Sequence, residues 1–391
     1  MRHVTDDERR ARIARRHGIA PGLRAADAES ATRAMTVLHA TEPATVYLSL
    51  AARVDGLSRA DVDRVLYDER TLVKQLAMRR TLFVFPLDLL PAAWGSASAR
   101  VAGIERKRIA KDIVLAGLAD DGDAWLDDAR VRVLRHLDDL PDGAQAGEVR
   151  ALFPELATAI TVSPGSQWNH TRVLTHLGAT ADIVRAVNTG HWRISRPRYT
   201  RMEHWLAEVP EAWGEREGYA ELTARWLRSF GPGTTDDLAW WLGSTKTAVS
   251  AALADLDAVP AVLDDGRSAW LLPDDLEVEQ PVAPWAALLP VLDPTVMGWK
   301  ERGFYLGDLG SRLFDRNGNA GNTAWWDGRI VGSWVQDDAG RVHLHLLREV
   351  PPEGLAALEL EADRLETWLD GERVGTVYPS PAMQSARADL S

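Results

Sequence analysis

The segment Tyr219–Asp274 restricts the fold more than any other part of the chain, because it spells three helices and a hairpin in one short run. Leu222, Trp226 and Leu227 mark a first helix that ends at Phe230-Gly231-Pro232. Thr234 or Thr235 caps a second, Asp236-Asp237-Leu238-Ala239-Trp240-Trp241, whose acids fall in the first turn where the helix dipole favours them. Gly243 closes it, and Thr245 opens a third helix through Leu253 and Leu256. Val259-Pro260-Ala261-Val262-Leu263 and Ala269-Trp270-Leu271-Leu272 then flank Asp264-Asp265-Gly266-Arg267, a hairpin with an Asp-Gly turn. Three helices followed by a hairpin make a winged helix. The short turn between its second and third helices is that of helix-turn-helix units, whose later helix commonly enters the DNA major groove.

Two looser copies precede it. Ser58-Arg59-Ala60-Asp61 resembles a capping box before Val62, Val65 and Leu66, a helix is predicted at about 70–78, and Arg80-Thr81-Leu82-Phe83-Val84-Phe85-Pro86 predicts a strand. In Leu152–Tyr199 a helix around Trp168 to Leu177 precedes two predicted strands, Ile183–Val187 and Trp192–Ile194, around the tight turn Asn188–His191. From about residue 284 the chain turns to strands and glycine turns: Trp285–Pro290, Thr323–Trp326, Ile330–Trp334 and Val342–Leu346, then a helix at 353–369 and a short final strand and tail. The expected architecture is α+β: three tandem winged-helix domains (1–95, with an N-terminal helix; 96–205; 206–280) and a C-terminal β-rich domain with a terminal helix (281–391).

At 391 residues with 46% apolar and 26% charged positions, the chain is an ordinary globular protein with room for several cores. The absence of cysteine excludes disulfides, thiolate catalysis and cysteine-bound metals. His343 and His345 share a strand face without an evident third ligand, so they read as surface histidines, and no metal or cofactor is expected. No apolar run approaches membrane-spanning length and the start lacks a signal peptide's apolar segment, so the expected location is the cytoplasm. The net charge of −12 is unevenly spread: residues 1–111 carry 20 Lys and Arg against 13 Asp and Glu, while the rest is strongly acidic. Such asymmetry hints at an anionic partner at one end. Two basic clusters sharpen it, one of Arg100, Arg106, Lys107, Arg108 and Lys111, the other running from Arg185 to Arg201.

Chemistry concentrates at Leu38-His39-Ala40-Thr41-Glu42-Pro43. Ala31, Ala34, Met35 and Leu38 follow helical spacing, Pro43 disfavours a helical Glu42, and the helix is predicted to stop near His39. In extended chain, His39 and Thr41 would project together and hold one water. The plain alternative is that His39 caps the helix and Thr41 makes a local turn bond.

The order His39-x-Thr41, Tyr67-Asp68-Glu69-Arg70-Thr71-Leu72, Met78-Arg79-Arg80-Thr81-Leu82, Phe230-Gly231-Pro232 with Asp237-Leu238-Ala239-Trp240-Trp241-Leu242-Gly243, Leu289-Pro290-x-x-Asp293-Pro294, Arg316-Asn317-Gly318-Asn319 and Asp327–Trp334 resembles the AlkZ/YcaQ family of bacterial winged-helix DNA glycosylases. The likeness covers nearly the whole chain. It implies three tandem winged helices plus a C-terminal β domain around a concave DNA-binding surface, excision of bulky N7-alkylated purines and, in some members, unhooking of interstrand crosslinks. In the best-known members a glutamine, an apolar residue and a second glutamine or an aspartate stand where this chain has His39-Ala40-Thr41.

That departure leaves the chemistry workable. N7 alkylation makes the purine a cationic leaving group, so orienting a water suffices, and a neutral His39 imidazole could take its proton while Thr41 holds it. Imidazolium could not act as a base. Arg79, Arg80, Arg193, Arg196, Arg198 and Lys246 are the residues suited to DNA phosphates. The expected partner is double-stranded DNA, alkylated or crosslinked, bound by a monomer. The reading is a monofunctional glycosylase; the alternative is a non-enzymatic winged-helix DNA-binding or regulatory protein, and a third class is a protein-interaction scaffold.

Overall fold

The structure, a computed structural model, describes residues 1–390 apart from 157–159, 164, 165 and 169. It is a mixed α and β fold. β1 (Arg2–Val4) leads into α1 (Asp6–Arg16), whose N-terminus Thr5 caps by accepting the Glu8 N–H at 3.1 Å. α2 (Ala28–Ala34) ends at Met35, short of the predicted stop near His39. The cause is Thr36, held at a left-handed φ of 63°, a conformation a β-branched residue rarely adopts. Its hydroxyl bonds the Arg225 carbonyl at 3.0 Å and the Ser229 hydroxyl at 2.9 Å, so contacts from a distant helix hold the turn. Leu38 therefore leaves the helix and, with His39, forms β2 (Leu38–His39).

α3 (Pro43–Ala51) starts with Pro43 in its first turn, after an extended Glu42. Ser58 and Asp61 close the expected capping box on α4 (Arg59–Asp63). Residues 70–78, expected as a helix, instead hold strand β3 (Leu72–Ala77), which pairs antiparallel with β4 (Thr81–Pro86) in a sheet of order β2-β4-β3. Leu72/Leu76 and Val73/Ala77 satisfy helical i, i+4 spacing, but so short an apolar run does not distinguish the two states. Pairing decides it. The inward Gln75 is satisfied as a strand residue, accepting from Trp94 Nε1 at 3.1 Å and donating to the Gly178 carbonyl at 2.8 Å.

The next unit comprises α5 (Ala99–Leu115), α6 (Gly122–Asp138), β5 (Ala144–Gln145), β6 (Ile160–Ser163), β7 (Ser166–Trp168), α7 (Thr171–Ala179), β8 (Ile183–Asn188) and β9 (Pro197–Arg201). Two expectations shift here. The helix begins at Thr171 because Trp168 closes a short hairpin, and the strand paired with β8 is Pro197–Arg201 rather than Trp192–Ile194. Trp192 is drawn out of strand pairing because it packs between Tyr47 and Trp368, with ring centroids 5.5 and 5.6 Å away. Parts of the predicted Leu152–Tyr199 copy lie outside the described residues.

α8 (Glu215–Phe230), α9 (Thr235–Leu242), α10 (Lys246–Asp255), β10 (Val259–Leu263) and β11 (Ser268–Leu271) reproduce the expected third phrase. Thr234 is the cap of α9, in a capping box with Asp237, and Gly243 ends it at φ 61°. β1 adds to this hairpin, parallel to β10, a pairing no local pattern announces. The C-terminal sheet runs β12 (Ala286–Leu289), β13 (Thr323–Trp326), β14 (Arg329–Gln336), β15 (Val342–Leu346) in sequence order, all antiparallel. α11 (Pro352–Leu369) covers it. The end of the chain, expected as a strand, is α12 (Pro381–Leu390), whose Met383 and Ala386 pack with Val335 of β14. No helix among the described residues is long and apolar enough to cross a membrane.

One hydrophobic core joins the first unit, the third and the C-terminal sheet, whereas Ile109, Leu126, Val133, Phe153 and Leu174 form a separate core in the second unit. The shared core contains a fully buried ion pair. Arg53, just past α3, donates to both oxygens of Asp293 at 2.8 and 2.7 Å, and Asp293 also accepts from Ser49 at 2.8 Å and the Thr295 N–H at 2.9 Å. Removing one partner strands a charge without water, so Asp293→Ala or Arg53→Met should lower the unfolding free energy by about 3–5 kcal/mol. Urea denaturation checks this, and a loss below about 1 kcal/mol would contradict a dry, mutually dependent pair.

Candidate active site

β2 carries His39 at the edge of the first sheet. It pairs with Phe83 of β4, and the pairing extends through Ala40, whose N–H bonds the Leu82 carbonyl at 2.9 Å. Continued in that direction, the chain brings Thr41 to the end of the sheet where the β3–β4 turn lies. Arg79 and Arg80 form that turn, with φ of 54° and 59°. Tight hairpin turns of this hand favour Asn and Gly, so two arginines here are strained.

The turn docks on the third unit. Arg79 lies over the Trp240 ring of α9, its guanidinium carbon 4.0 Å from the centroid, and a side chain at Gly243 would meet the Arg79 backbone at 2.9 Å. Arg100 donates to the Gly243 carbonyl at 3.1 Å, placing a cation at the negative end of α9. Arg302 reaches the same indole at 5.3 Å and the Phe314 ring at 4.5 Å. Three parts of the fold thus converge beside β2.

His39 is more enclosed than its motif suggests, at 7% exposure, with the Phe83 ring edge-on at 5.3 Å. Its Nδ1 is buried without a partner, and neither ring nitrogen makes a hydrogen bond among the described residues. Burial, then the positive Arg79, push its pKa down to about 3, so the ring is a neutral imidazole at any physiological pH. Thr41 is exposed and no hydrogen bond links it to His39. Next to it, Glu42 turns toward the C-terminal segment: its Oε1 accepts from the Thr376 hydroxyl at 2.8 Å and the Val377 N–H at 2.7 Å, while Oε2 is buried and unpaired. Burial raises the Glu42 carboxyl, against the lowering effect of those two donors.

The family model of the AlkZ-like DNA glycosylases matches residues 32–368. The chain belongs to the AlkZ-like DNA glycosylase family. Its fold is similar to that of the Streptomyces sahachiroi DNA glycosylase AlkZ, at a TM-score of 0.78 and 17% identity, over 96% of this chain and 99% of that one. No curated protein matches the chain.

In this AlkZ-like chain the six basic residues expected at DNA are not equivalent. Arg80 pairs with Glu105 at 3.2 Å, Arg193 with Glu372 at 3.0 Å and Lys246 with Asp236. Arg198 bonds the Asp142 carbonyl at 2.8 Å and lies 3.8 Å from Glu148. Arg196 is exposed and its side chain makes no ion pair among the described residues; the same holds for the half-buried Arg79. Arg302 escaped sequence reasoning, since it sits in irregular chain between the Asp293-Pro294 and Arg316–Asn319 phrases and reaches the site only through folding. Lys74 lies two strands from Leu38 in register, but alternation sends it to the opposite sheet face from His39. Its ammonium donates to the Tyr67 hydroxyl at 2.7 Å, and burial pushes it down to about 8. His343 bonds Asp337 at 2.9 Å. Asp138, Glu203 and His204 offer ligand atoms within 4.8 Å of one another, but Arg201 bonds both carboxylates.

The lowered His39 pKa has a thermodynamic sign. The unfolded chain takes up a proton near 6.5 and the folded chain resists it down to about 3, so this stabilisation is complete above 6.5 and declines as pH falls. The decline approaches about 1.4 kcal/mol per pH unit below 6.5. Between pH 7.5 and 5, His39→Leu should therefore lose about 2 kcal/mol less stability than the native chain in paired urea titrations. Equal losses would mean that the ring titrates normally.

Proposed function

We propose that this chain is a monofunctional DNA glycosylase that excises N7-alkylated purines, with the unhooking of interstrand crosslinks as a related activity. The observation that carries the reading is His39: a neutral imidazole with no partner among the described residues, next to an arginine with no ion pair among them, in the motif position that carries the water-handling residues in the family resemblance. In the reaction the C1′–N9 bond breaks, and its electron pair returns to the cationic purine, which leaves neutral. A water oxygen bonds to C1′ while its proton passes to the imidazole, in general-base fashion. Thr41 steadies that water through its hydroxyl. Because His39 is largely covered, the nucleotide must leave the stack to reach it, as base-acting enzymes require. A Schiff-base step has no support, since Lys74 is engaged with Tyr67 on the other face.

We further infer that the three helix-and-hairpin units are tandem winged helices, divided at about residues 95, 205 and 280, acting as a monomer on double-stranded DNA in the cytoplasm. Arg79, Arg80, Arg193, Arg196, Arg198 and Lys246 contact phosphates in this reading, with the free Arg79 and Arg196 contributing most, because the others must first give up a carboxylate or carbonyl partner.

The low exposure of His39 favours one competing reading, a DNA-binding protein without excision. Incubation with duplex carrying N7-methylguanine, followed by chromatography of free bases, separates the two. Release of free 7-methylguanine is expected, slowed about 10²- to 10⁴-fold in His39→Ala and less in Thr41→Ala. Duplex binding without any release would establish the non-enzymatic reading instead.

A further inference from the structure

Most of the arginines around the first unit are neutralised: Arg33, Arg53, Arg64 and Arg80 each meet a carboxylate. Arg79 and Arg302 do not. Neither guanidinium makes an ion pair or donates a hydrogen bond among the described residues, yet both lie against one indole, at 4.0 and 5.3 Å from its centroid. The Nε of Arg79 is buried and unsatisfied. Burial and the like charge of Arg302 push Arg79 down to about 10, so the folded chain bears a cost to keep the two cations together.

Two further features keep that arrangement in place. The β3–β4 turn accepts left-handed backbone at two successive arginines, and the Phe314 ring meets Arg302 at 4.5 Å. A guanidinium held against an aromatic ring by cation–π contact still has N–H donors to offer, and their fork geometry matches phosphate oxygens. An anion accepting from terminal N–H groups of both would relieve the repulsion. Cation–π contacts with Trp240 and Phe314 place the two arginines but supply neither a hydrogen-bond acceptor nor a counter-charge.

We propose that Arg79, Trp240 and Arg302 form a single phosphate seat for the DNA backbone beside the nucleotide presented to His39. Arg302 and Trp240 thereby become positioning residues, set on the C-terminal part and the third unit, while His39 comes from the first. One backbone phosphate bridges the three and fixes the sugar's approach to the imidazole. The proposal rests on the DNA-binding half of the function proposed above and does not need excision.

The test uses the full chain and a fluorescein-labelled undamaged duplex, with binding measured by anisotropy across a series of salt concentrations. Each phosphate contact contributes about −0.9 to the slope of log affinity against log salt. Arg302→Gln and Arg79→Gln should each flatten the slope by up to about one unit, and because both serve one phosphate, the double variant should flatten it by about one in total, not two. Arg302→Lys, which keeps the charge but not the fork, should restore the slope while leaving affinity reduced. Should Arg79→Gln fail to fold, Arg302→Gln carries the test alone, its folding verified by thermal melting. A folded Arg302→Gln with native slope and affinity overturns the seat. A native protein without salt-dependent duplex binding overturns the DNA-binding reading itself.

Discussion

The junction around Arg53 and Asp293 organises the molecule. The pair is fully buried, and its neighbours extend the network in two directions: Arg53 also donates to the Thr295 hydroxyl at 2.8 Å, and that hydroxyl bonds His17 Nδ1 at 2.9 Å. The other ring nitrogen of His17 bonds the Ser229 carbonyl at 3.1 Å, and the Ser229 hydroxyl bonds Thr36. The chain of contacts thus joins the C-terminal sheet, α1, α8 and the strained turn ahead of β2. His17 is held neutral there, its pKa lowered by burial and the nearby Arg53. Polar groups so enclosed must satisfy one another or each bears the full desolvation cost, which makes the arrangement all-or-none.

That junction explains why His39 is where it is. Three residues ahead of it, Thr36 can hold its left-handed backbone only because α8 supplies two hydrogen bonds, and without that turn Leu38 would continue the helix. The position of the imidazole therefore depends on helix and sheet elements far away in sequence. The same is true of its charge state. Burial against Phe83 and the field of Arg79 keep the ring neutral, and Arg79 is held by Trp240 of the third unit. In the proposed role the ring would face the phosphate field, which favours protonation, and an adjacent cation opposes it.

The parts of this organisation with local causes were legible in the sequence. The capping box at Ser58, a threonine cap at 234 or 235, the Gly243 stop and the Asp-Gly hairpins lie where side-chain chemistry alone puts them. Residues 72–77 and 192–194 were misread for one reason: in short apolar runs the partner strand or the tryptophan pocket decides, and neither is visible locally. Likewise, the pairing of β1 with β10 and the meeting of Arg79 with Arg302 join residues separated by more than half the chain. The enclosure of His39 was not legible, because the groups that cover it come from β4 and its turn.

The central proposal is that an enclosed imidazole, neutral at physiological pH, performs the water activation, and the pH dependence of single-turnover excision from N7-methylguanine duplex tests it most directly. A rate that stays level from pH 8 to about 5 is the predicted result, since His39 takes up a proton only near 3. A rate that falls tenfold per unit below pH 6.5 would contradict it, because that profile belongs to an ordinary solvent-exposed histidine.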